Sequence, residues 1–262
     1  MRPSNRRAYI LVIPSLFTTG NLFCGFYAII HTFASEFEQA SYAILLAGIF
    51  DILDGRVARF TKSTSKFGVE YDSIADVVSF GVAPAVLVYV WALQPFGRLG
   101  WAGAFFFAAC AALRLARFNT ISEELPKAYF LGLPTPAAAY SIAASFIAFQ
   151  KLNFEYSPQI MLVISPLLGL LMVSSIRYRS FKDLQFKGAK SFLWLVVIVG
   201  MITLIATQPE IGLGILFGYY VLGGAIREVY LFIKNPGDRN KKYLAPQFIT
   251  TEESENSPRG HS

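Results

Sequence analysis

The sequence predicts an all-α membrane protein, a bundle of about eight transmembrane helices. Three observations predict it. Long apolar runs recur along most of the chain, each of the length a bilayer needs. The composition is 54% hydrophobic and only 15% charged, whereas a soluble domain carries about a quarter charged residues. Lys and Arg gather at alternate ends of the runs, as the positive-inside rule requires of a multi-pass chain.

The runs fall at 15–34, 39–60, 70–93, 99–118, 132–150, 158–175, 190–207 and 211–233. Each has about the 17–25 residues of a helical span. An amphipathic lead-in, 1–14, precedes them and carries Arg2, Arg6 and Arg7. Residues 1–234 are thus expected to form one integral-membrane domain. Residues 235–262 are rich in Ser, Glu, Asn, Lys and Pro, cannot bury enough apolar surface to fold, and are expected to be a disordered cytoplasmic tail. The N-terminus lacks a short apolar core followed by a cleavage site, so no signal peptide is expected. No internal repeat is evident. Cys24 and Cys110 lie in apolar runs, where they read as small buried hydrophobes.

Charge sets the expected orientation. With both termini on one face, that face receives every Lys and Arg of the 23 except Arg98 and Lys151. The opposite loops instead carry Glu36, Glu38, Glu155 and Glu210. Both termini are therefore expected in the cytoplasm, and the chain in the cytoplasmic (inner) membrane. A seven- or nine-span arrangement would scatter these charges.

Against this apolar background stand four carboxylates: Asp51 and Asp54 in the second span, Asp72 and Asp76 in the third. Ionisable groups at membrane depth are costly and mark function. Asp51, Asp54 and Ala58 follow i, i+3, i+7 and share a helical face, as Asp72 and Asp76 do at i, i+4. A short loop makes the two helices antiparallel neighbours, so the acidic faces can converge. The site is a shallow cavity facing the cytoplasm, with Asp51 roughly 12 Å from the helix end near Arg59. Repulsion within such a quartet calls for positive charge, best met by hard divalent cations with oxygen ligands. Two cations bridged by carboxylates form a clamp for displacement at phosphorus. Gly55 and Ala58 leave room for a substrate or a helix, and Gly68 lets the chain turn into the third span.

Other polar groups read less sharply. Arg114 and Arg117, i and i+3 in R-L-A-R-F-N, suit phosphate or carboxylate recognition, or snorkel to lipid headgroups. Asn119 can cap the helix end. Thr18, Asn21 and Gly25 interrupt the first span, where an interhelical hydrogen bond is the plain reading. His31 falls near the far side, away from the acids. The basic stretch 177–190 reads as topology signal and attraction to anionic lipid.

The pattern Asp51-x2-Asp54-Gly55-x2-Ala58-Arg59-x8-Gly68-x3-Asp72-x3-Asp76 resembles the signature of the CDP-alcohol phosphatidyltransferases at every fixed position. Three further segments resemble the integral-membrane branch of that family that forms phosphatidylserine. They are I-P-S-L-F-T-T-G-N-L-F-C-G-F (13–26), R-L-A-R-F-N (114–119) and F-L-G-L-P-T-P-A-A-A (130–139). The resemblance implies transfer of a phosphatidyl group from CDP-diacylglycerol to L-serine, giving phosphatidylserine and CMP. It implies two divalent cations, Mg²⁺ or Mn²⁺, on Asp51, Asp54, Asp72 and Asp76, with Asp76 also the base for the attacking hydroxyl. It places Asn21, Gly55, Arg59 and Ser65 on the CDP part of the donor, and Arg114 and Arg117 on phosphate or the serine carboxylate. It also implies a homodimer in the lipid bilayer, with no nucleic-acid partner. Glycerol phosphate, inositol phosphate or choline as acceptor would use the same chemistry, although no extra basic set for a second phosphate is seen. A carboxylate-based transporter is the reading from another class. It would want a midplane site and inverted repeats, whereas the acids here cluster at one face.

Overall fold

The computed structural model describes residues 3–61, 65–121, 129–174, 176–179 and 212–221, with 196, 199–200, 203, 207–208 and 223. These lie in one compact unit, Met1–Gly224. The expected tail, 235–262, lies outside the described residues.

Helix α1 spans Pro3–Phe33, α2 Phe37–Thr61, α3 Lys66–Phe96 and α4 Arg98–Ile121. Then come α5, Thr135–Lys151, and α6, Ser157–Val173. A shorter helix α7 covers Gly212–Val221. Six expected spans thus coincide with α1 to α6, while the seventh and eighth are only partly covered by the described residues. The lead-in is not a separate element: its backbone is helical from Pro3 and runs into α1. Hydropathy marks where a helix enters apolar surroundings, not where its hydrogen bonding begins.

Two of the described helices, Lys66–Phe96 and Arg98–Thr120, are long and apolar enough to cross a membrane. The side-chain distribution agrees. Much of the interior is alanine, with Ala28, Ala40, Ala47, Ala83, Ala138 and Ala143 fully buried. Large apolar side chains such as Phe23, Ile49, Phe105 and Val163 face outward and are each more than half exposed. Small residues inside let helices approach closely, and large apolar residues outside suit lipid.

A tight turn sets α1 against α2. Ser35 takes a left-handed conformation (φ 62°), and Glu36 N–H donates to the His31 carbonyl at 2.8 Å. Helix α3 runs through the middle, touching α1, α2, α4, α5 and α6. It is not regular: Val77–Val82 and Tyr89–Leu93 are wide π turns. Each lies just N-terminal to a proline, Pro84 or Pro95. A proline lacks the N–H for the preceding turn and its ring crowds the carbonyl four residues back, so that turn widens.

After α4, Tyr129–Leu131 pairs antiparallel with Arg177–Arg179, forming a three-residue ribbon. The chain then enters α5 through Gly132 (φ 76°), where a Cβ would lie 2.1 Å from the Met172 carbonyl oxygen. Only glycine fits that passage. It places Leu133 and Thr135 in the core, both fully buried. The F-L-G-L-P-T-P segment is therefore the device that seats α5 beside α4 and α6.

Candidate active site

Helix α2 delivers Asp51 and Asp54, and α3 delivers Asp72 and Asp76. The start of α3 is fixed by Ser65, an N-cap whose hydroxyl accepts from Gly68 N–H at 3.0 Å. Such a cap satisfies a backbone donor that has no partner within the helix. Helix α1 then approaches α3 closely. A Cβ at Gly25 would lie 2.7 Å from Ser79 Cα, and the Ser79 hydroxyl donates to the Asn21 carbonyl at 2.8 Å.

This packing brings the acids together. One oxygen from each of Asp51, Asp72 and Asp76 lies within 4.8 Å of the others. Asp54 stands beside them, close enough to Asp72 for the two carboxylates to interact. It is buried and accepts a hydrogen bond from the Thr18 hydroxyl. Asp76, also buried, accepts from Asn21 Nδ2 at 2.9 Å.

The donor set fits hard cations. Two full negative charges 4.8 Å apart repel by roughly 3.5 kcal/mol at an effective dielectric constant near 20. The three close pairs together would strain a helix junction severely. Asp72 Oδ1 and Asn21 Oδ1 are buried with no hydrogen-bond partner. Buried oxygens of this kind normally have one, and an oxygen-seeking divalent ion would supply it. No other group of three metal-ligating side chains occurs among the described residues.

Arg114 reaches the cluster from α4. It is buried, and its Nη1 donates to the Thr135 hydroxyl at 2.9 Å. It lies close enough to Asp76 for their charges to interact. Arg117, one turn on, instead donates to the Val173 carbonyl at 3.2 Å. That contact caps the C-terminal end of α6, where positive charge is favoured. Asn119 ties α4 to α3 through Ser73 Oγ at 2.8 Å.

On the other flank the site is open. Among the described residues nothing lies within 4 Å of a Cβ added at Gly55, so none of the described helices fills the space that glycine leaves. Arg59 is exposed, and its Nε donates to the Gly55 carbonyl at 2.8 Å. Arg56, Arg59 and Phe60 line an open cleft of about 450 Å³.

Three neighbours were not singled out as site residues in the sequence: Thr18, Thr135 and Tyr140. Thr18 had a signal, since it precedes Asn21 by three residues and so shares its face of α1. Thr135 and Tyr140 had none, because only tertiary packing brings α5 to α2 and α3. The Tyr140 hydroxyl occupies a notch in α2: a Cβ at Gly48 would lie 1.3 Å from it.

A sequence model of the CDP-alcohol phosphatidyltransferase family matches residues 11–173, a stretch that holds all four aspartates. The chain belongs to that family. It is 37% identical over 234 residues to a CDP-diacylglycerol–serine O-phosphatidyltransferase of Helicobacter pylori strain J99, covering 88% of this chain and 97% of the relative. It is 34% identical over 183 residues to the Bacillus subtilis protein of the same name, covering 70% and 98%. The protein of that name from Methanocaldococcus jannaschii is 42% identical over 159 residues, covering 60% and 72%. Family membership and the two spanning helices make this a membrane protein.

Proposed function

We propose that the chain is a CDP-diacylglycerol–serine O-phosphatidyltransferase. It transfers the phosphatidyl group of CDP-diacylglycerol to the hydroxyl of L-serine, forming phosphatidylserine and releasing CMP. The observation that carries this reading is the gathering of Asp51, Asp72 and Asp76 oxygens within 4.8 Å, in a chain alike to serine-using relatives over most of its length.

In the reaction the serine oxygen bonds to the lipid-side phosphorus. The bond from that phosphorus to the bridging oxygen breaks, and its electron pair leaves with CMP. The serine proton passes to Asp76. The hydrogen bond from Asn21 to Oδ1 orients that carboxylate and leaves Oδ2 for the proton. A positioned base of this kind is worth roughly 10²–10⁴-fold in rate.

Asp51, Asp54, Asp72 and Asp76 would hold divalent cations, Mg²⁺ or Mn²⁺. When bound, these offset the acidic cluster and the negative charge that collects on the diphosphate. The buried Asp72 Oδ1 without a partner supports that role. Gly55 and Arg59, at the open flank, are placed to meet the CDP part of the donor. Ser65 and Asn21 complete that side, although both already make hydrogen bonds within the protein. Arg114 and Arg117 are the cations for phosphate or serine carboxylate, and of the two only Arg114 is buried beside Asp76.

The charge asymmetry of the loops supports eight spans, with both termini and the site on the cytoplasmic face of the cell membrane. Labelling of a single cysteine placed in the tail, from one side of sealed vesicles, tests that orientation. A homodimer is proposed from the family resemblance, and the mass of the purified protein in detergent tests it.

The deciding experiment incubates purified protein with CDP-diacylglycerol and, separately, serine, glycerol phosphate, inositol phosphate and choline. CMP and product lipid are read out. Serine-dependent formation of both is expected. Turnover with another acceptor and none with serine would overturn the acceptor assignment. Absence of CMP with every acceptor would overturn the transferase reading.

A further inference from the structure

Tyr140 on α5 touches both helices that carry the aspartates. Its hydroxyl fills a notch in α2 at Gly48, where a Cβ would lie 1.3 Å from the oxygen and 2.4 Å from the ring carbon that bears it. Its ring meets Phe80 of α3 edge-on, with centroids 5.8 Å apart and planes at 87°. Aromatic pairs prefer that arrangement. Gly48 is buried and Phe80 fully so. The Phe217 ring of α7 lies 5.2 Å from the Tyr140 ring and confines it further.

The two contacts stand in register with the acids. Gly48 precedes Asp51 by three residues and Phe80 follows Asp76 by four. Each therefore shares a helix face with its acid, about one turn away. Both lie on the side of the acids away from the α2–α3 junction. At that junction the chain itself ties the helices, between Thr61 and Lys66. One turn past the acids, only packing can set how far apart the helices stand. Tyr140 packs there against both, and its hydroxyl is near enough to Asp51 and Asp76 to sense their charges. A phenol suits this place. Its ring is rigid and turns about only two torsions, so it passes a displacement on instead of absorbing it.

We infer that Tyr140 is a positioning residue: it sets the separation of the two acid-bearing helices and so tunes the aspartate cluster to a small divalent cation. This rests on the cation-holding role proposed above for the aspartates. Oxygens from three of them lie within 4.8 Å of one another. Mg²⁺ binds oxygen at about 2.0–2.1 Å in a near-ideal octahedron, whereas Ca²⁺ accepts about 2.3–2.6 Å and looser geometry. A cluster whose helices are held at one separation can refuse the larger ion. A cluster whose helices can spread cannot. Tyr140 touches no reacting atom in this role, and its effect passes through Asp51 and Asp76.

The test reads cation binding with no substrate present. Mn²⁺ is titrated into the purified full-length protein in detergent, and loss of the six-line paramagnetic resonance signal of free Mn²⁺ reports binding. Mg²⁺ and Ca²⁺ then displace it. The ratio of their affinities, taken on one preparation, is independent of the folded fraction. Tyr140→Leu empties the notch. Gly48→Ala forces the phenol oxygen back by about 2 Å before ordinary contact is reached. Each should lower the Mg²⁺-over-Ca²⁺ ratio roughly tenfold, the lower end of what loss of a supporting partner costs a metal site. Tyr140→Phe removes one oxygen and keeps the ring, so it should lower the ratio by less and stays informative should the others fail to fold. In the Gly48→Ala/Tyr140→Leu double variant the new methyl enters space that the end of the ring has left, and the ratio should recover part of the way. A wild-type ratio in every variant, even with a lower melting temperature, would overturn the inference and leave Tyr140 as plain packing. A wild-type protein that takes up no Mn²⁺ would also overturn it, by removing cations from the aspartates. Mn²⁺ uptake by a wild-type protein that releases no CMP with serine would count instead against the transferase reading, and the ratios would still decide the role of Tyr140.

Discussion

Replacing Gly25 by alanine tests whether the approach of α1 to α3 is what aligns the site. In the native packing the new Cβ would lie 2.5 Å from Ser79 Oγ and 2.7 Å from Ser79 Cα. Ordinary contact begins near 3.4 Å, so the helices must part by about 0.7 Å at this level. Asn21 lies one turn before Gly25, and Asp76 one turn before Ser79. The same displacement would carry the Asn21–Asp76 hydrogen bond from 2.9 Å to about 3.6 Å, beyond hydrogen-bonding distance. Overpacking of this kind costs about 1–3 kcal/mol of stability, and a 1 Å misplacement at a catalytic group can cost ~100-fold in rate. Thermal unfolding in detergent and CMP release should both fall, the rate by roughly 10- to 100-fold. Because the closest fixed atom is a backbone Cα, trimming Ser79 to glycine should not restore the double variant. Asn21→Ala is the companion: it removes the hydrogen bond without pushing the helices apart, so it should lose rate with a smaller loss of stability. A Gly25→Ala protein with the native melting temperature and native rate would refute the packing argument.

Three further outcomes are expected. Asp76→Asn should cut serine-dependent CMP release by roughly 10²–10⁴-fold and leave binding of CDP-diacylglycerol measurable by equilibrium titration; normal turnover would remove Asp76 as the base. Chelation of divalent cations should stop transfer and Mg²⁺ or Mn²⁺ should restore it, whereas full activity after exhaustive chelation would count against cations on the aspartates. Thr18→Val takes the hydroxyl donor from buried Asp54, so the metal concentration for half-maximal activity should rise roughly 10- to 100-fold; an unchanged metal requirement would make that hydrogen bond purely structural.

The helices were legible because apolar run length and helix length answer to the same solvent. The expected spans at 39–60 and 99–118 differ by only a few residues from Phe37–Thr61 and Arg98–Ile121. The aspartates were legible because i, i+3 and i, i+4 spacing fixes a shared face before any tertiary contact is known. The wide turns in α3 left only their prolines as a trace. The buried flank around Arg114 was harder to read. Arg114 was visible as a candidate, but its bond to Thr135 depends on the passage of Gly132 beneath the Met172 carbonyl. The fit of Tyr140 into Gly48 leaves no mark in hydropathy, since a glycine that forms a notch and a glycine that merely packs look alike in a sequence. Arg117 shows the converse. Its spacing from Arg114 suggested a paired role, yet its guanidinium is engaged at the end of α6.

The burial pattern around the acids gives the site two unlike sides. On α2, Ile52 and Leu53 are exposed between Asp51 and the open position at Gly55, and Phe60, Phe67 and Ile74 are exposed along the same helix pair. Large apolar side chains facing outward beside a charged cluster suit a substrate whose tails stay in lipid while its headgroup is held at the acids. Away from that flank, Asp76, Arg114 and Thr135 are buried among close-packed helices. An in-line displacement needs its two reactants on opposite sides of the phosphorus. Two helices carrying acids on converging faces, open at Gly55 and closed over Asp76, present the phosphorus with two such unlike sides. For a scaffold with no chemistry, the cost of placing four carboxylates there would have no return.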